Sequence, residues 1–274
     1  MNPLSKVART HSFHQLYNLA LGMGSKFSGV YPSMDEAAKA APPRRQMGYD
    51  NEEAAVIYRT HFELRWGDYA VVYWLGSILR PNVTLVDMGG NLGQTFYAFE
   101  KYLAFPEGFK WIVYDLPASV KMGLEYEKQH PRASLGFTGD LKQACGAEIF
   151  LASGILQYLD WSFPQFLIDS AGPPEHVLVN KLPAYEGPGF VTLQDLGPSL
   201  CPYRIFNRRS VIDEMSNAGY ELIDTWAIGD LKCCVFFHPS RTVEQYYGMY
   251  FRRRSVQADT DRAPAKPASV EIIA

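Results

Sequence analysis

The chain has few cysteines, no long apolar run and almost no surplus of charge. Four cysteines occur in 274 residues, which argues against a disulfide scaffold in a chain this long, and no C-x-x-C or Cys/His spacing indicates a zinc site. The net charge of −3 gives no general reason to expect nucleic-acid binding. No apolar run approaches the roughly eighteen residues of a membrane span, and the first residues lack the pattern of a signal peptide. We therefore expect a cytoplasmic protein with no membrane or nucleic-acid partner.

Alternating apolar strands and helical stretches dominate the rest of the chain. Hydrophobic residues make up 47% of it, enough for an extensive core. From Val83 onward, "VTLVDM", "KWIVYDLP", "SLGFTGDL", "AEIFLASG" and "EHVLVNKLPA" predict successive strands. Nearly continuous apolar strands that alternate with helices are typical of a parallel sheet covered on both faces. The predicted fold is a doubly wound, Rossmann-like α/β sheet, mostly parallel with one antiparallel strand.

Three segments follow from this pattern. Residues 1–80 are predicted to form a helical N-terminal cap, in which Ser33 is a good N-cap for the segment after it. Residues 81–254 form the α/β domain, and residues 255–274, rich in Ala, Pro and charge, form a disordered tail. Within the domain, we expect a hairpin around Gly229-Asp230 to make "LKCCVFFHPS" the antiparallel strand.

The loop "DMGGNLG", Asp87 to Gly93, follows the first predicted strand. In doubly wound sheets, ligands bind beyond the carboxyl ends of the strands, where this loop lies. Asp115, at the end of the next strand, is placed to accept the hydroxyls of a ribose, and Asp140 follows the third strand, near an adenine. Either acid could instead cap a helix. Their order and spacing describe a pocket for adenosine.

Two classes of cofactor contain adenosine. The dinucleotide fingerprint G-x-G-x-x-G is not met, because Asn91 and Gln94 stand where it requires Gly. Asp87 also places negative charge where a pyrophosphate would be repelled. S-adenosylmethionine carries a sulfonium and an ammonium instead of phosphates, so it is the cofactor predicted for this loop.

The same residues resemble a known superfamily. "LVDMGGNLG" resembles the first motif of class I S-adenosylmethionine-dependent methyltransferases, except at Asn91, and "VYDLP" and "FTGDL" resemble their second and third strand ends. "GYDNEEAA", "FLASGILQYL", "VLVNKLP" and the segment from Cys201 to Trp226 are similar to a little-described bacterial family of methyltransferase-like proteins. The residues predicted to bind the cofactor are Asp87, Gly89, Gly90, Asn91, Gly93, Asp115, Leu116, Asp140, Leu141 and Ser153.

Three polar residues are candidates for catalysis. Ser153 and Asn180 end the fourth and fifth strands, and Tyr203 lies in "CPYRIFN"; their side chains can orient a polar group. Each also has an ordinary structural interpretation, as a cap, a turn residue or a core aromatic. No motif marks a general base. The dense aromatic residues of the first third could stabilise a sulfonium by cation–π attraction or simply form core.

The substrate stays open at this point. Methyl transfer to a small metabolite is the leading hypothesis. The resembling group includes azetidine-2-carboxylate synthase-like enzymes, which implies a second hypothesis: the ligand's own amine closes a four-membered ring and expels methylthioadenosine. A non-catalytic cofactor-binding protein is a third, and nicotinamide oxidoreduction a distant fourth. No metal is predicted, and the sequence leaves open whether the protein is a homodimer.

Overall fold

The computed structural model describes residues 26–48 and 62–255. Its helices are α1 (Met34–Ala40), α2 (Asp68–Ile78), α3 (Gln94–Phe99), α4 (Pro117–Gln129), α5 (Phe163–Asp169) and α6 (Arg208–Asn217). Its strands are β1 (Phe27–Tyr31), β2 (Gln46–Met47), β3 (Thr84–Met88), β4 (Lys110–Tyr114), β5 (Leu135–Thr138), β6 (Ile149–Ser153), β7 (His176–Leu182), β8 (Ala184–Tyr185), β9 (Phe190–Asp195), β10 (Ser199–Asn207), β11 (Tyr220–Ile228), β12 (Val235–Phe236) and β13 (Tyr246–Arg253). Short 3₁₀ turns lie at Leu141–Ala144, Leu156–Tyr158 and Pro239–Arg241.

The larger sheet has seven strands in the order β11-β13-β7-β6-β3-β4-β5. β3 to β7 are parallel, whereas β13 runs antiparallel to both of its neighbours. β4 and β5 extend the sheet on one side of β3, and β6 and β7 extend it on the other side. The strand order therefore reverses between β3 and β6, the place where such sheets open a ligand crevice.

Apolar clusters cover both faces of this sheet. Val86 and Met88 of β3 belong to one cluster, with residues of α5 and α6, and Leu85 belongs to the other, with residues of α2 and α3. Alternate residues of a strand point to opposite faces, so burial on both faces requires the nearly continuous apolar strands seen in the sequence. The predicted doubly wound, mostly parallel sheet with one antiparallel strand is confirmed.

A second sheet lies outside this prediction. Its strands follow the order β12-β1-β9-β10-β2, and β8 pairs with β10. β9 pairs antiparallel with both β1 and β10. The residues of β1 thus pair with residues of β9 that lie more than 150 positions later in the chain. The segment "FSGVY" is a strand because of this long-range pairing.

The N-terminal region thus differs from the expected helical cap. Over residues 26–48 it is strand, helix and strand, with Ser33 capping α1 as predicted by accepting a hydrogen bond from the Glu36 N–H at 3.2 Å. α2 is helical, as expected. The remaining N-terminal residues, 1–25 and 49–61, and the tail residues 256–274 lie outside the described ranges.

The antiparallel strand of the larger sheet is β13, so the prediction that "LKCCVFFHPS" forms it is wrong. "LKCCVFFHPS" contains only the two-residue strand β12, which pairs in parallel with β1 in the second sheet. The partner of β11 is β13, from the aromatic segment "YYGMYFRR". Trp226 lies over Gly248, where a Cβ atom would come within 1.9 Å of the indole, so glycine at that position permits the pairing.

No helix among residues 26–48 and 62–255 is long and apolar enough to cross a membrane.

Candidate functional site

A cavity of about 490 Å³ opens at the carboxyl ends of β3, β4, β6 and β7. Its volume lies within the usual range for small-molecule sites. One side, the strand-end wall, is formed by Gly89, Gly90, Asn91, Asp115, Ser153 and Lys181. A second group of lining residues, the aromatic wall, consists of Phe27, Tyr158, Tyr203 and Tyr246. The cavity therefore lies between the switch point of the larger sheet and the second sheet.

The glycine-rich loop after β3 adopts a tight left-handed path. Gly89, Asn91 and Gly93 have φ angles of 71°, 52° and 78°. Asparagine is among the few non-glycine residues that tolerate this region, which explains how Asn91 can replace the usual glycine. Gly90 is required for a different reason, because a Cβ atom there would lie 2.6 Å from Asp87 Oδ2.

Asp115 joins the ends of β3 and β4. Its Oδ2 accepts a hydrogen bond from the Asn91 N–H at 2.8 Å, and its Oδ1 accepts one from the Leu116 N–H at 2.7 Å. A carboxylate oxygen can accept more than one hydrogen bond. The carboxylate lines the cavity and is held by two backbone donors, so it presents fixed acceptors to a ligand.

Asp87 lies beneath the loop and does not line the cavity. It is only 1% exposed, and its Oδ2 accepts a hydrogen bond from Trp111 Nε1 at 3.2 Å. Burial raises the pKa of Asp87 to about 7; the hydrogen bond from Trp111 opposes this, and the nearby Asp115 adds to it. The Asp87 carboxyl beside the turn therefore titrates near neutral pH.

A polar network connects the ends of β6 and β7 with the start of α2. Asn180 donates from Nδ2 to Asp68 Oδ1 at 2.9 Å and to Ser153 Oγ at 3.5 Å, and its Oδ1 accepts from Trp226 Nε1 at 3.1 Å. Lys181 Nζ lies 2.8 Å from the same oxygen of Asp68. Asn180 is 1% exposed, so it positions its neighbours from below the cavity.

The aromatic wall is also hydrogen-bonded. The Tyr203 hydroxyl donates to the Tyr246 hydroxyl at 2.9 Å, and the Tyr158 hydroxyl donates to Gln194 Oε1 at 2.7 Å. The rings of Phe27 and Tyr158 pack on Tyr203 with centroids 4.9 and 5.2 Å away. Burial raises the pKa values of Tyr203 and Tyr246, so both hydroxyls stay protonated at neutral pH.

The structure brings six of the predicted residues to the cavity surface, namely Gly89, Gly90, Asn91, Asp115, Ser153 and Tyr203. Gly93 lies at the start of α3, and Leu116 at the start of α4. Asp140 accepts a hydrogen bond from the Lys142 N–H at 2.9 Å and caps the 3₁₀ turn that begins at Leu141. This is the capping role that the sequence left open for Asp140, and neither Asp140 nor Leu141 lines the cavity.

Several cavity residues were missed from the sequence. Asp68, Gln94 and Tyr246 line the cavity, and no motif marks them. Gln157 and Lys181 follow predicted strand ends, so their proximity to the crevice was the available signal. Asp68 and Tyr246 could not be found locally, because each reaches the cavity only through the packing of α2 and β13.

Three buried amide atoms around the cavity have no hydrogen-bond partner among the described residues. They are Asn91 Oδ1, Gln94 Nε2 and Gln157 Oε1. Buried polar atoms are normally paired, and leaving one unpaired costs roughly 1–3 kcal/mol. Two unpaired acceptors and one unpaired donor thus belong to residues that line this cavity.

The charges around the cavity balance. Four basic residues (Lys26, Arg65, Lys181 and Lys232) and four acidic residues (Glu63, Asp68, Asp115 and Asp230) line it. A pyrophosphate site would require a surplus of positive charge or a cradle of backbone amides at a helix end. Here one amide of the loop, that of Asn91, is already taken by Asp115.

No family model matches the chain, and no curated protein matches it. Solved structures do. An S-adenosylmethionine-dependent methyltransferase from Clostridium acetobutylicum ATCC 824 aligns with a TM-score of 0.50 and 8% identity, over 74% of this chain and 98% of that chain. Magnesium protoporphyrin IX methyltransferase from Synechocystis PCC 6803, with bound S-adenosylhomocysteine, aligns with a TM-score of 0.49 and 11% identity, over 75% and 96%. Burkholderia thailandensis 1,6-didemethyltoxoflavin-N1-methyltransferase, with bound 1,6-didemethyltoxoflavin and S-adenosylhomocysteine, aligns with a TM-score of 0.46 and 16% identity, over 78% and 95%.

At this identity, the likeness to the Clostridium protein establishes the fold alone. The chain has the Rossmann-like α/β fold of that methyltransferase.

Proposed function

We propose that the protein is an S-adenosylmethionine-dependent methyltransferase that acts on a small metabolite. The observation that carries this proposal is the strand-end wall. A glycine-rich turn and a fixed carboxylate, Asp115, face one cavity at the switch point of the sheet. Carboxylates after the second strand of such sheets accept ribose hydroxyls. The Clostridium structure shows that the fold is one on which methyltransferases are built.

The residues present fit this cofactor. Gly89 and Gly90 line the cavity without side chains, and the loop needs glycine at both positions because a Cβ atom would lie within 2.8 Å of Ile155 or Asp87. Asp115 would hold the ribose, and the unpaired oxygens of Asn91 and Gln157 would accept from an ammonium. The balanced charge suits a sulfonium zwitterion better than a dinucleotide.

The cofactor supplies an electrophilic methyl group, and the acceptor gives up a proton when it gains that methyl group. No histidine or cysteine among the described residues lines the cavity, and its buried tyrosines remain protonated. Ser153 and the tyrosine hydroxyls would position the acceptor in line with the methyl group, and the acceptor's proton would pass to a carboxylate of the lining, such as Glu63 or Asp230, or to water.

Product analysis tests the proposal. Pure enzyme is first titrated with S-adenosylhomocysteine by calorimetry, and binding is expected. It is then incubated with S-adenosylmethionine and a small-molecule extract, and S-adenosylhomocysteine is expected by mass spectrometry. If the protein bound neither S-adenosylhomocysteine nor S-adenosylmethionine, the proposal would be rejected, and so would a role as a non-catalytic cofactor-binding protein. Binding without turnover in any extract would favour a cofactor-binding protein.

A second candidate is cyclisation of S-adenosylmethionine itself to azetidine-2-carboxylate. This reaction uses the cofactor as its sole substrate, so it needs neither a second substrate nor a base for an external acceptor. Its amine must be neutral, which an enclosed site promotes by lowering the amine's pKa. Incubation with the cofactor alone separates the two candidates. Methylthioadenosine and a cyclic amino acid would identify the cyclase, and unchanged cofactor would exclude it.

A further inference from the structure

A β-bulge at the end of β7 places two neighbouring side chains on one side. Leu182 pairs with Tyr247, and Val179 pairs with Met249. Asn180 and Lys181 therefore both lie opposite the single residue Gly248. Side chains of successive strand residues normally point to opposite faces, but bulges re-aim them and are common beside active sites.

The bulge requires an uncommon backbone conformation at Lys181. Its φ angle is 55°, in the left-handed region that few non-glycine residues occupy. Such strain persists only where the surrounding structure holds it, and it clusters at functional sites. Here the amide of Asn180 and the ammonium of Lys181 both reach Asp68 Oδ1, at 2.9 and 2.8 Å.

Asp68 fixes Lys181 without using all of its donors. The Asp68 side chain is 8% exposed and also accepts a hydrogen bond from the Arg65 N–H at 3.0 Å. A lysine ammonium has three N–H donors. Among the described residues, Lys181 forms one ion pair, with Asp68. Because Lys181 lines the cavity and its side chain is 24% exposed, its other donors face the ligand space.

The side chain of Gln157 lies near that of Lys181. A Cβ atom on Gly154 would lie 3.8 Å from Lys181 Cβ and 3.9 Å from Gln157 Nε2, so the two side chains flank Gly154. Gln157 is 4% exposed, and its Oε1 has no partner among the described residues. Lys181 and Gln157 both line the cavity, and a cationic donor together with a neutral acceptor matches a carboxylate that is accompanied by an ammonium or hydroxyl group.

We propose that Lys181, presented by the bulge and held by Asp68, is the receptor for a carboxylate in this cavity. This inference rests on the proposed function. Two sources share the chemistry: the α-carboxylate of the cofactor's own amino-acid part, and a carboxylate on the acceptor. β7 lies three strand intervals from β4, about 14 Å from Asp115, so a nucleoside held at Asp115 places its extended amino-acid tail within reach of Lys181.

The first arm of the test compares two ligands that differ only in the carboxylate. S-adenosylhomocysteine and its decarboxylated analogue, the 3-aminopropyl thioether of adenosine, are titrated into the full chain by calorimetry. The wild type is expected to prefer the carboxylate by roughly 10- to 100-fold. Lys181→Met should reduce this preference to about threefold or less, while the affinity for the decarboxylated analogue stays unchanged and reports an intact fold.

A matched control removes another positive charge from the same cavity. Lys232 also lines it, and its Nζ lies 3.6 Å from Glu244 Oε2. Lys232→Met should keep the wild-type preference, which separates a specific receptor from a general loss of charge. A purely structural role of Lys181 would weaken both ligands equally and leave the preference intact.

The second arm addresses the acceptor. Benzoate and benzylamine, the same ring with opposite charge, are titrated into the enzyme with and without saturating S-adenosylhomocysteine. If Lys181→Met still prefers S-adenosylhomocysteine to its decarboxylated analogue but no longer binds benzoate, the carboxylate belongs to the acceptor. If Lys181→Met changes neither the preference for S-adenosylhomocysteine nor the binding of benzoate, the inference is wrong. Failure of the wild type to bind S-adenosylhomocysteine would instead reject the proposed function, and benzoate alone would still test Lys181.

Discussion

The two walls of the cavity are built in opposite ways. The strand-end wall consists of backbone, glycines and charged or amide side chains at the ends of neighbouring parallel strands. The aromatic wall consists of rings and hydroxyls brought together from β1, β10, β13 and the turn after β6. The first presents fixed donors and acceptors, whereas the second presents apolar surface with protonated hydroxyls. We expect the first wall to determine which cofactor binds, and the second to determine which substrate is accepted.

The largest effect should come from filling the turn of the strand-end wall. In Gly90→Val the new Cβ would lie 2.6 Å from Asp87 Oδ2 and 3.1 Å from Val113 Cγ1. Neither neighbour can withdraw from the core, so the loop must move, and affinity for S-adenosylhomocysteine should fall by roughly 100-fold or more. Calorimetry measures the loss. Gly229→Ala, where a Cβ meets nothing within 4 Å, is the control, and an unaffected Gly90→Val would show that this loop does not contact the cofactor.

The next effect concerns the acid beneath that turn. The folded-state pKa of Asp87, about 7, lies above the value of about 3.9 in an unfolded chain. Between these values the folded protein binds the extra proton, so the contribution of Asp87 to the unfolding free energy falls as pH rises from about 4 to about 7. Asp87→Asn removes this loss. The unfolding free energy of the variant, measured relative to that of the wild type, should therefore increase by roughly 1–4 kcal/mol from pH 5 to pH 8.

Urea denaturation of the ligand-free protein at both pH values measures this difference. An equal difference between the variant and the wild type at pH 5 and pH 8 would show that Asp87 is ionised throughout.

A comparison of two acids sharpens the assignment of the strand-end wall. Asp115 lines the cavity, whereas Asp140 caps a turn and does not. Asp115→Ala should weaken binding of S-adenosylhomocysteine by about 1–3 kcal/mol through lost charged hydrogen bonds. Asp140→Ala should cost about 1 kcal/mol or less. Calorimetry on both variants decides the matter, and a larger loss in Asp140→Ala would place the main nucleoside contact at the third strand.

The smallest effect is expected on the aromatic wall. Tyr203→Phe removes the hydrogen bond to Tyr246 and should lower the unfolding free energy by about 1 kcal/mol, while affinity for S-adenosylhomocysteine stays within about twofold. Urea denaturation and calorimetry measure the two quantities. Tyr69→Phe, at an exposed ring, is the control. A large loss of cofactor affinity in Tyr203→Phe would mean that the two walls do not divide their roles as described.

Local patterns predicted the larger sheet and the position of several residues that line the cavity. The apolar runs around Val86 and Leu178 mark strands buried on both faces, and each parallel strand end carries its polar residue to the same edge. Gly89, Asn91, Asp115 and Ser153 could be placed at the cavity on this basis. The capping role of Asp140 could not be distinguished from ligand binding, because both use the same carboxylate at the same strand end.

The sequence by itself determined the sheet, its central crossovers and the glycine turn, because these depend on the periodicity and turn chemistry of neighbouring residues. Only the tertiary structure decided the second sheet, the pairing of β13, and the meeting of Asp68 with Lys181. The β1–β9 pairing and the Asp68–Lys181 ion pair join residues more than a hundred positions apart, and the β13–β7 pairing joins residues more than sixty positions apart. Local propensity carries no information about such pairings, since their free energy arises from packing between distant segments.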